Sequence, residues 1–310
     1  MKVAELPLPE IQQRLTEGRL TLDLHPFVAR IESPLQSVSH SLWRMYRDRN
    51  VLDESTFADF HVRVAPPSNL RRWLRPQAFF YFDGRAAFKP LPAAQAYPML
   101  EWGLNWCIAA HSHQFLILHA AVVEMNGCAV VMPAPPGSGK STLCAGLVSR
   151  GWRLLSDELG LLNPVTLRLH ALARPVNLKN QSIAVMRAFA PTADFSPEVP
   201  HTAKGTVALM APPADSVERM RETARPTWLV FPRYRSGCDA SFRPASKAWS
   251  TWVLAQQSFN YNLHGKAGFD ALTSMVDSCT CLEFEYSQLD QAVEAFAALA
   301  TGDLDDGRAA

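Results

Sequence analysis

The chain has 310 residues, of which 48% are hydrophobic and 19% charged, and its formal net charge is +1. This composition is typical of one large or two modest domains with a sizeable core, and a charge so close to zero excludes a general attraction for nucleic acid or anionic membranes. The N-terminus shows no signal-peptide pattern and no apolar run approaches ~18 residues, so we expect a cytoplasmic protein that does not span a membrane.

Residues 1–95 form a first region, which we expect to be a small α+β unit without recognisable chemistry. Its patterns predict a weak helix over 8–20, a strand over 60–64 and a hairpin around Asp83-Gly84. Arg71, Arg72 and Arg75 form a short basic cluster, which fits either a solvated turn or a contact for an acidic partner.

Residues 96–301 form the second region, after the prolines Pro90, Pro92 and Pro98. Residues 99–110 are apolar on nearly every face, including Trp106, and predict a buried helix. Residues 115–124 and 128–132 predict two strands, and the Asn126-Gly127 pair between them favours a type I′ hairpin turn.

A glycine-rich stretch, Ala134-Pro135-Pro136-Gly137-Ser138-Gly139-Lys140-Ser141-Thr142, follows the second of these strands and precedes a helical pattern. A strand, a glycine-rich turn and a helix in this order are typical of a phosphate-binding loop. The glycines let backbone N–H groups surround phosphate oxygens, and the N-terminal end of the helix dipole adds to the attraction. We therefore expect a nucleotide site at residues Pro136, Gly137, Ser138, Gly139, Lys140, Ser141 and Thr142, with Lys140 on the β- and γ-phosphates and Ser141 on Mg²⁺. The usual pattern begins with glycine, and Ala134 stands at that position.

A pair of acidic residues, Asp157-Glu158, ends the next short apolar strand, 17 positions after Lys140. Placed beside the phosphates, such residues can orient Mg²⁺ or accept a proton from an attacking hydroxyl group. The alternative is a charged turn between two strands.

Several downstream segments are rich in polar side chains. Arg174, Lys179 and Lys204 are candidate contacts for the phosphates or for an acceptor, and the loop over residues 195–205 could be a mobile lid. A helix is predicted over residues 252–269, and a strand followed by a helix completes the region. We expect residues 302–310 to be a disordered tail.

Leu118-His119-Ala120, the Asn126-Gly127 hairpin, the glycine loop and the segment from Gly151 to Glu158 occur in an order and spacing that resemble the catalytic domain of HPr kinase/phosphorylase. The sequence is more similar to the bacterial HPr-kinase-related kinases, strongly over about residues 115–165. The resemblance implies an α/β fold of α+β character shared with PEP carboxykinase, in which mixed, largely antiparallel sheets surround the phosphate loop.

The resemblance also implies roles for individual residues. Asp157 matches the general base of the family and His119 the histidine beside it, while Lys140 and Ser141 match the phosphate and Mg²⁺ contacts. Glu158 stands where the family commonly has a second aspartate, so it is a candidate metal ligand. The glutamate-arginine-glycine signature of the bifunctional enzyme is missing, and Asn177-Leu178-Lys179 stands at about that place, so HPr itself and the phosphorylase reaction are not implied.

Three hypotheses on function follow. The preferred one is a kinase dependent on ATP and Mg²⁺ that phosphorylates a hydroxyl group, with a serine of a peptide or protein as the favoured acceptor. A small-metabolite acceptor stays open, and the alternative from another class is a nucleotide-binding switch or scaffold that hydrolyses slowly or not at all. The sequence leaves the oligomeric state open, a homo-oligomer included.

Overall fold

The computed structural model of the chain describes residues 1–69, 74, 76–135 and 137–302. The predicted basic cluster of Arg71, Arg72 and Arg75, the loop residue Pro136 and the tail beyond residue 302 lie outside the described residues. Among the residues that are described, no helix has the length and apolarity to cross a membrane.

Nine α-helices lie within the described ranges. They are α1 (Leu8–Thr16), α2 (Gln36–Met45), α3 (Ala96–His111), α4 (Lys140–Val148), α5 (Gln181–Phe189), α6 (Ala214–Glu218), α7 (Lys247–Gln256), α8 (Tyr261–Ser278) and α9 (Leu289–Thr301).

The strands form three sheets. They are β1 (Leu20–Asp23), β2 (Val28–Glu32), β3 (Val51–Leu52), β4 (Phe60–Ala65), β5 (Gln77–Phe82), β6 (Arg85–Ala86), β7 (Leu91–Pro92), β8 (Leu116–Met125), β9 (Cys128–Pro133), β10 (Arg153–Ser156), β11 (Leu159–Leu162), β12 (Leu169–His170), β13 (Val176–Lys179), β14 (Val199–Thr202), β15 (Gly205–Met210), β16 (Arg225–Tyr234), β17 (Ser241–Pro244) and β18 (Thr280–Tyr286).

The first sheet contains β1 to β7 in the order β3-β1-β2-β4-β5-β6, with β7 beside β5. The hairpin predicted around Asp83-Gly84 is confirmed, since β5 and β6 pair antiparallel and both turn residues have positive φ, 46° and 76°. Helix α3 lies directly on this sheet, because a Cβ on Gly103 would sit 2.1 Å from the ring of Phe80. One hydrophobic core therefore contains residues from both sides of the predicted boundary at residue 95, for example Phe80 and Leu100, and the boundary itself stays a prediction.

The second sheet has eight strands in the order β12-β11-β8-β9-β16-β18-β17, with β10 also paired to β8. Strands β9, β16 and β18 run parallel to one another, and the remaining pairs are antiparallel. The predicted turn at Asn126-Gly127 joins β8 to β9 with positive φ at both residues, 53° and 81°. The prediction of an α/β protein with mixed sheets is thus confirmed.

The structure contradicts one local prediction and adds detail to two others. The loop predicted over residues 195–205 contains a strand, since β14 pairs with β15, which pairs in turn with β13 to form the third sheet. Its role as a lid stays a prediction. The helix predicted over residues 99–110 lies within α3 and is largely buried, with Trp106 as an exception at 37% exposure. The helix expected over residues 252–269 is interrupted, because the side-chain amide of Asn260 bonds the backbone of Ile117 on β8 and of Phe115 just before β8, and the chain does not continue as a helix there.

Candidate active site

The centre of the candidate site is the middle of strand β8. On one side, β9 pairs with β8 as far as Pro133 opposite Ala120 and then leaves as the glycine loop. On the other side, β10 and β11 are two consecutive antiparallel partners of β8, interrupted between Ser156 and Leu159. The interruption is Asp157-Glu158, so the sheet itself brings the acidic pair and the glycine loop to opposite sides of one strand.

Both glycines of the loop lie in the left-handed backbone region, which glycine adopts readily. Gly137 and Gly139 have φ of 90° and 89°, and Gly139 is the N-cap residue of α4. The first N–H groups of a helix have no partner within the helix, and here they follow the loop directly. Ala134 is only 3% exposed, so its methyl group packs inside the protein and the departure from glycine causes no visible disruption.

Two tyrosines form hydrogen bonds to the carbonyl groups of this loop. The backbone N–H of Tyr234 donates to the carbonyl of Ser138 at 2.9 Å. The hydroxyl of Tyr286 donates to the carbonyl of Gly139 at 3.0 Å. Because Tyr234 ends β16 and Tyr286 ends β18, these two parallel strands fix the loop by its carbonyl groups.

Lys140 and Asp157 are both buried at the edge of the cleft, each 8% exposed. Asp157 accepts the backbone N–H of Asn177 on Oδ2 at 3.0 Å, while its Oδ1 has no hydrogen-bond partner. Burial raises the pKa of Asp157, although Lys140, the Asn177 N–H and the Ser141 hydroxyl oppose the shift. Burial also lowers the pKa of Lys140, against the attraction of Asp157 and Glu158.

The donor set of the cleft fits Mg²⁺. Buried Oδ1 of Asn177 has no partner, and the hydroxyl of Ser141 and the carboxylate of Glu158 line the same cleft. Oxygen donors of this kind suit Mg²⁺, which takes one or two carboxylates from a protein and completes its shell with phosphate oxygens and water. Among the described residues, no group of three or more His, Cys, Asp or Glu side chains is arranged to hold a metal ion.

His119 lies on β8, directly opposite Leu159 in the register of β11, and is half-buried.

 Its Nδ1 contacts Oε1 of Gln257 at 3.1 Å, and since that oxygen only accepts, Nδ1 carries the hydrogen. Burial lowers the pKa of His119 and the nearby Lys140 lowers it further, whereas Glu158 and Gln257 oppose the shift. The lowered pKa favours the neutral ring, in which Nε2 is the nitrogen without a hydrogen.

The cleft between these elements has an empty volume of about 1440 Å³, including space open to solvent. Its lining includes His119, Ala134, Pro135, Gly137, Ser138, Gly139, Lys140, Ser141, Thr142, Asp157, Glu158, Asn177, Lys179, Asn180, Ser182 and Lys204. The structure thus gathers every predicted site residue that it describes, with the exception of Arg174.

The three downstream cations have different positions. Lys179 lines the cleft from the end of β13, and Lys204 lines it from the turn between β14 and β15. Burial lowers the pKa of Lys204, an effect that Glu158 opposes. Arg174 is 6% exposed, does not belong to this lining and forms an ion pair with Glu101.

The sequence did not identify Asn177, Tyr234, Tyr286 or Asn105 as residues of the candidate site. Asn177 alternates with Lys179 along β13, so a period-two pattern could have placed both side chains on one face. Tyr286 resembles an ordinary core residue in the sequence, and nothing local shows that its hydroxyl reaches a loop 147 positions away.

No protein-family model matches the chain, and a search of curated proteins gives no significant match.

Proposed function

We propose that the protein is a kinase dependent on ATP and Mg²⁺ that transfers the γ-phosphoryl group to a hydroxyl acceptor, with a serine of a peptide or protein as the preferred acceptor. The observation that carries the proposal is the position of Asp157. Its unpartnered Oδ1 lies in the same cleft as the glycine loop and the buried ammonium group of Lys140.

The residues of the cleft have complementary tasks in such a transfer. The N–H groups of the loop and Lys140 bind the β- and γ-phosphates. Lys179 and Lys204 add positive charge around the γ-phosphoryl group that is transferred. Ser141, Glu158 and Asn177 would hold Mg²⁺, which neutralises phosphate charge when it is bound. Phosphoryl transfer needs this neutralisation and in-line positioning more than it needs a strong nucleophile.

Asp157 accepts the proton of the acceptor. The acceptor oxygen forms a bond to the γ-phosphorus while the bond from that phosphorus to the β–γ bridging oxygen breaks, and ADP leaves. The hydroxyl proton moves to Oδ1 of Asp157 and is later released to water. Burial has already raised the pKa of this carboxyl group, and a base with a raised pKa accepts a proton more readily.

The proposal is tested by incubating the purified protein with ATP labelled in the γ-phosphate and an extract of the cells that produce it, followed by separation of proteins, peptides and metabolites. We expect label in the protein or peptide fraction, in a form with the acid stability of phosphoserine. Label in the metabolite fraction alone would assign a small acceptor. Tight ATP binding without any labelled product would contradict the kinase and favour the nucleotide-binding switch.

A further inference from the structure

We propose that Asn105 is a positioning residue for Glu158, and that the first region of the chain holds Asn105 in place through Tyr46 and Arg174. The inference rests on the proposed function, in which Glu158 is a ligand of Mg²⁺. It gives residues 1–95 a task in the active site, although none of the residues described in that range lines the cleft.

The side-chain amide of Asn105 is used at both ends. Its Nδ2 donates to Oε2 of Glu158 at 2.8 Å, and its Oδ1 accepts from Nη1 of Arg174 at 2.5 Å. Rotating the amide by 180° would turn its NH₂ group toward the guanidinium, which only donates, and its oxygen toward the carboxylate, which only accepts. Arg174 therefore fixes the orientation in which Asn105 can donate to Glu158.

Arg174 is itself held rigidly by buried groups. Its Nη2 donates to the carbonyl of Glu101 at 2.9 Å and to Oε2 of Glu101 at 2.5 Å, and its Nε contacts the hydroxyl of Tyr46 at 3.3 Å. The same hydroxyl donates to the Glu101 carboxylate, at 2.9 and 3.0 Å from its two oxygens. Each nitrogen of the guanidinium thus has a partner, and a fork of this kind keeps one geometry.

Tyr46 carries this network into the first region. It follows α2 directly, as its C-cap residue, and is only 2% exposed. A continuous set of hydrogen bonds therefore runs from Tyr46 through Arg174 and Asn105 to Glu158.

Glu158 needs such support. It is one of two residues that interrupt the pairing of β10 and β11 with β8, and it is only half-buried, so neither strand pairing nor full burial fixes its side chain. The bond from Asn105 occupies Oε2 and leaves Oε1 for a ligand in the cleft. Groups that orient a metal ligand in this way typically change metal affinity or activity by about 10- to 100-fold when they are removed.

The test uses binding, because binding can be measured without turnover. The dissociation constant of a fluorescent ATP analogue is determined with and without Mg²⁺, and the ratio of the two values is the Mg²⁺ factor. We expect Asn105→Ala to reduce this factor by about tenfold, and Tyr46→Phe to reduce it in the same direction by less. Trp106→Phe is the matched control on the same helix, because its ring packs against Phe82 and Phe88, and it should leave the factor unchanged.

A double-mutant cycle separates positioning from general structural damage. Asn105→Ala should lower the Mg²⁺ factor in the native background and have no further effect in Glu158→Ala, since the residue to be positioned is then gone. Equal losses in both backgrounds, or a native Mg²⁺ factor in Asn105→Ala, would overturn the inference alone. Absence of nucleotide binding by the native protein would instead refute the proposed function and this inference with it.

Discussion

Replacing Gly139 by alanine tests whether the loop has the backbone that the site requires. Two effects are expected, because the residue has φ of 89° and a Cβ there would lie 2.4 Å from the Tyr286 hydroxyl. A left-handed conformation costs a non-glycine residue about 1–2 kcal/mol. Displacing the hydroxyl also breaks its bond to the Gly139 carbonyl, a loss of about 0.5–1.5 kcal/mol. We therefore expect Gly139→Ala to lower the free energy of unfolding by about 2–3 kcal/mol.

Two further variants separate these effects. Gly127→Ala is the matched control, because Gly127 also has positive φ, 81°, but an added Cβ would meet nothing within 4 Å, so only the backbone cost of about 1–2 kcal/mol is expected. Tyr286→Phe removes the hydroxyl that alanine would strike, so the pair Gly139→Ala and Tyr286→Phe should destabilise less together than the sum of the two single changes.

Urea unfolding gives the stabilities, and titration with ATP gives the affinities. Gly139→Ala should weaken ATP binding, whereas Gly127→Ala should not. Equal destabilisation by the two alanines, additive effects of Gly139→Ala and Tyr286→Phe, or unchanged ATP affinity in Gly139→Ala would refute the loop geometry described above.

Three other predictions concern charge. Lys140→Met should weaken ATP binding by about 10- to 100-fold, the loss of one charge-assisted hydrogen bond, and AMP binding much less; equal losses for ATP and AMP would contradict the phosphate contact. Asp157 must be ionised to accept a proton, and its pKa is raised above the ordinary 3.8, so kcat/KM should begin to fall at a pH above 3.8 as the solution is acidified. The pKa of Lys140 is lowered below 10.5, so kcat/KM should also fall at a pH below 10.5 as the solution is made basic. A flat profile across both values would exclude these roles. Arg153→Leu should lower the free energy of unfolding by about 3–5 kcal/mol, since it leaves buried Glu124 without its main partner. The control Lys266→Met breaks an exposed ion pair and should lower it by less than about 1 kcal/mol. Similar urea midpoints for the two variants would contradict this difference.

Features set by adjacent residues could be predicted from the sequence. The turns at Asp83-Gly84 and Asn126-Gly127 require positive φ at neighbouring positions, and those residue types adopt it readily. The strand, glycine loop and helix around Lys140 follow from a local pattern in the same way. Glycine and asparagine reveal such conformations because few other residues tolerate them.

Contacts between distant parts of the chain could not be predicted in this way. In the sequence, Arg174 and Lys179 are two basic residues of the same polar segment. Only the fold shows that Arg174 bonds Tyr46 and Glu101, while Lys179 lines the cleft. The bond between Asn177 and Asp157 joins residues 20 positions apart, one on β13 and the other between β10 and β11. The periodicity of a sequence does not show which of several basic side chains pairs with a buried carboxylate.

The break between α7 and α8 has a similar cause. The apolar pattern of residues 252–269 suits a helix, and helix propensity alone would continue it. The competing interaction is hydrogen bonding to the edge of β8. This edge is left unpaired by β9, because β9 ends where the glycine loop begins, and the segment around Asn260 forms hydrogen bonds to it. Tertiary pairing thus outweighs local propensity at this point.

The most direct test of the central claim is phosphoryl transfer by Asp157→Asn. Asparagine keeps the shape of the side chain and an oxygen that can accept the Asn177 N–H, but it cannot take up the proton of the acceptor. We expect label transfer from γ-labelled ATP to fall by about 10²- to 10⁴-fold, with ATP affinity retained and with full activity in the exposed control Asp270→Asn. Full transfer by Asp157→Asn would contradict the assignment of Asp157 as the base.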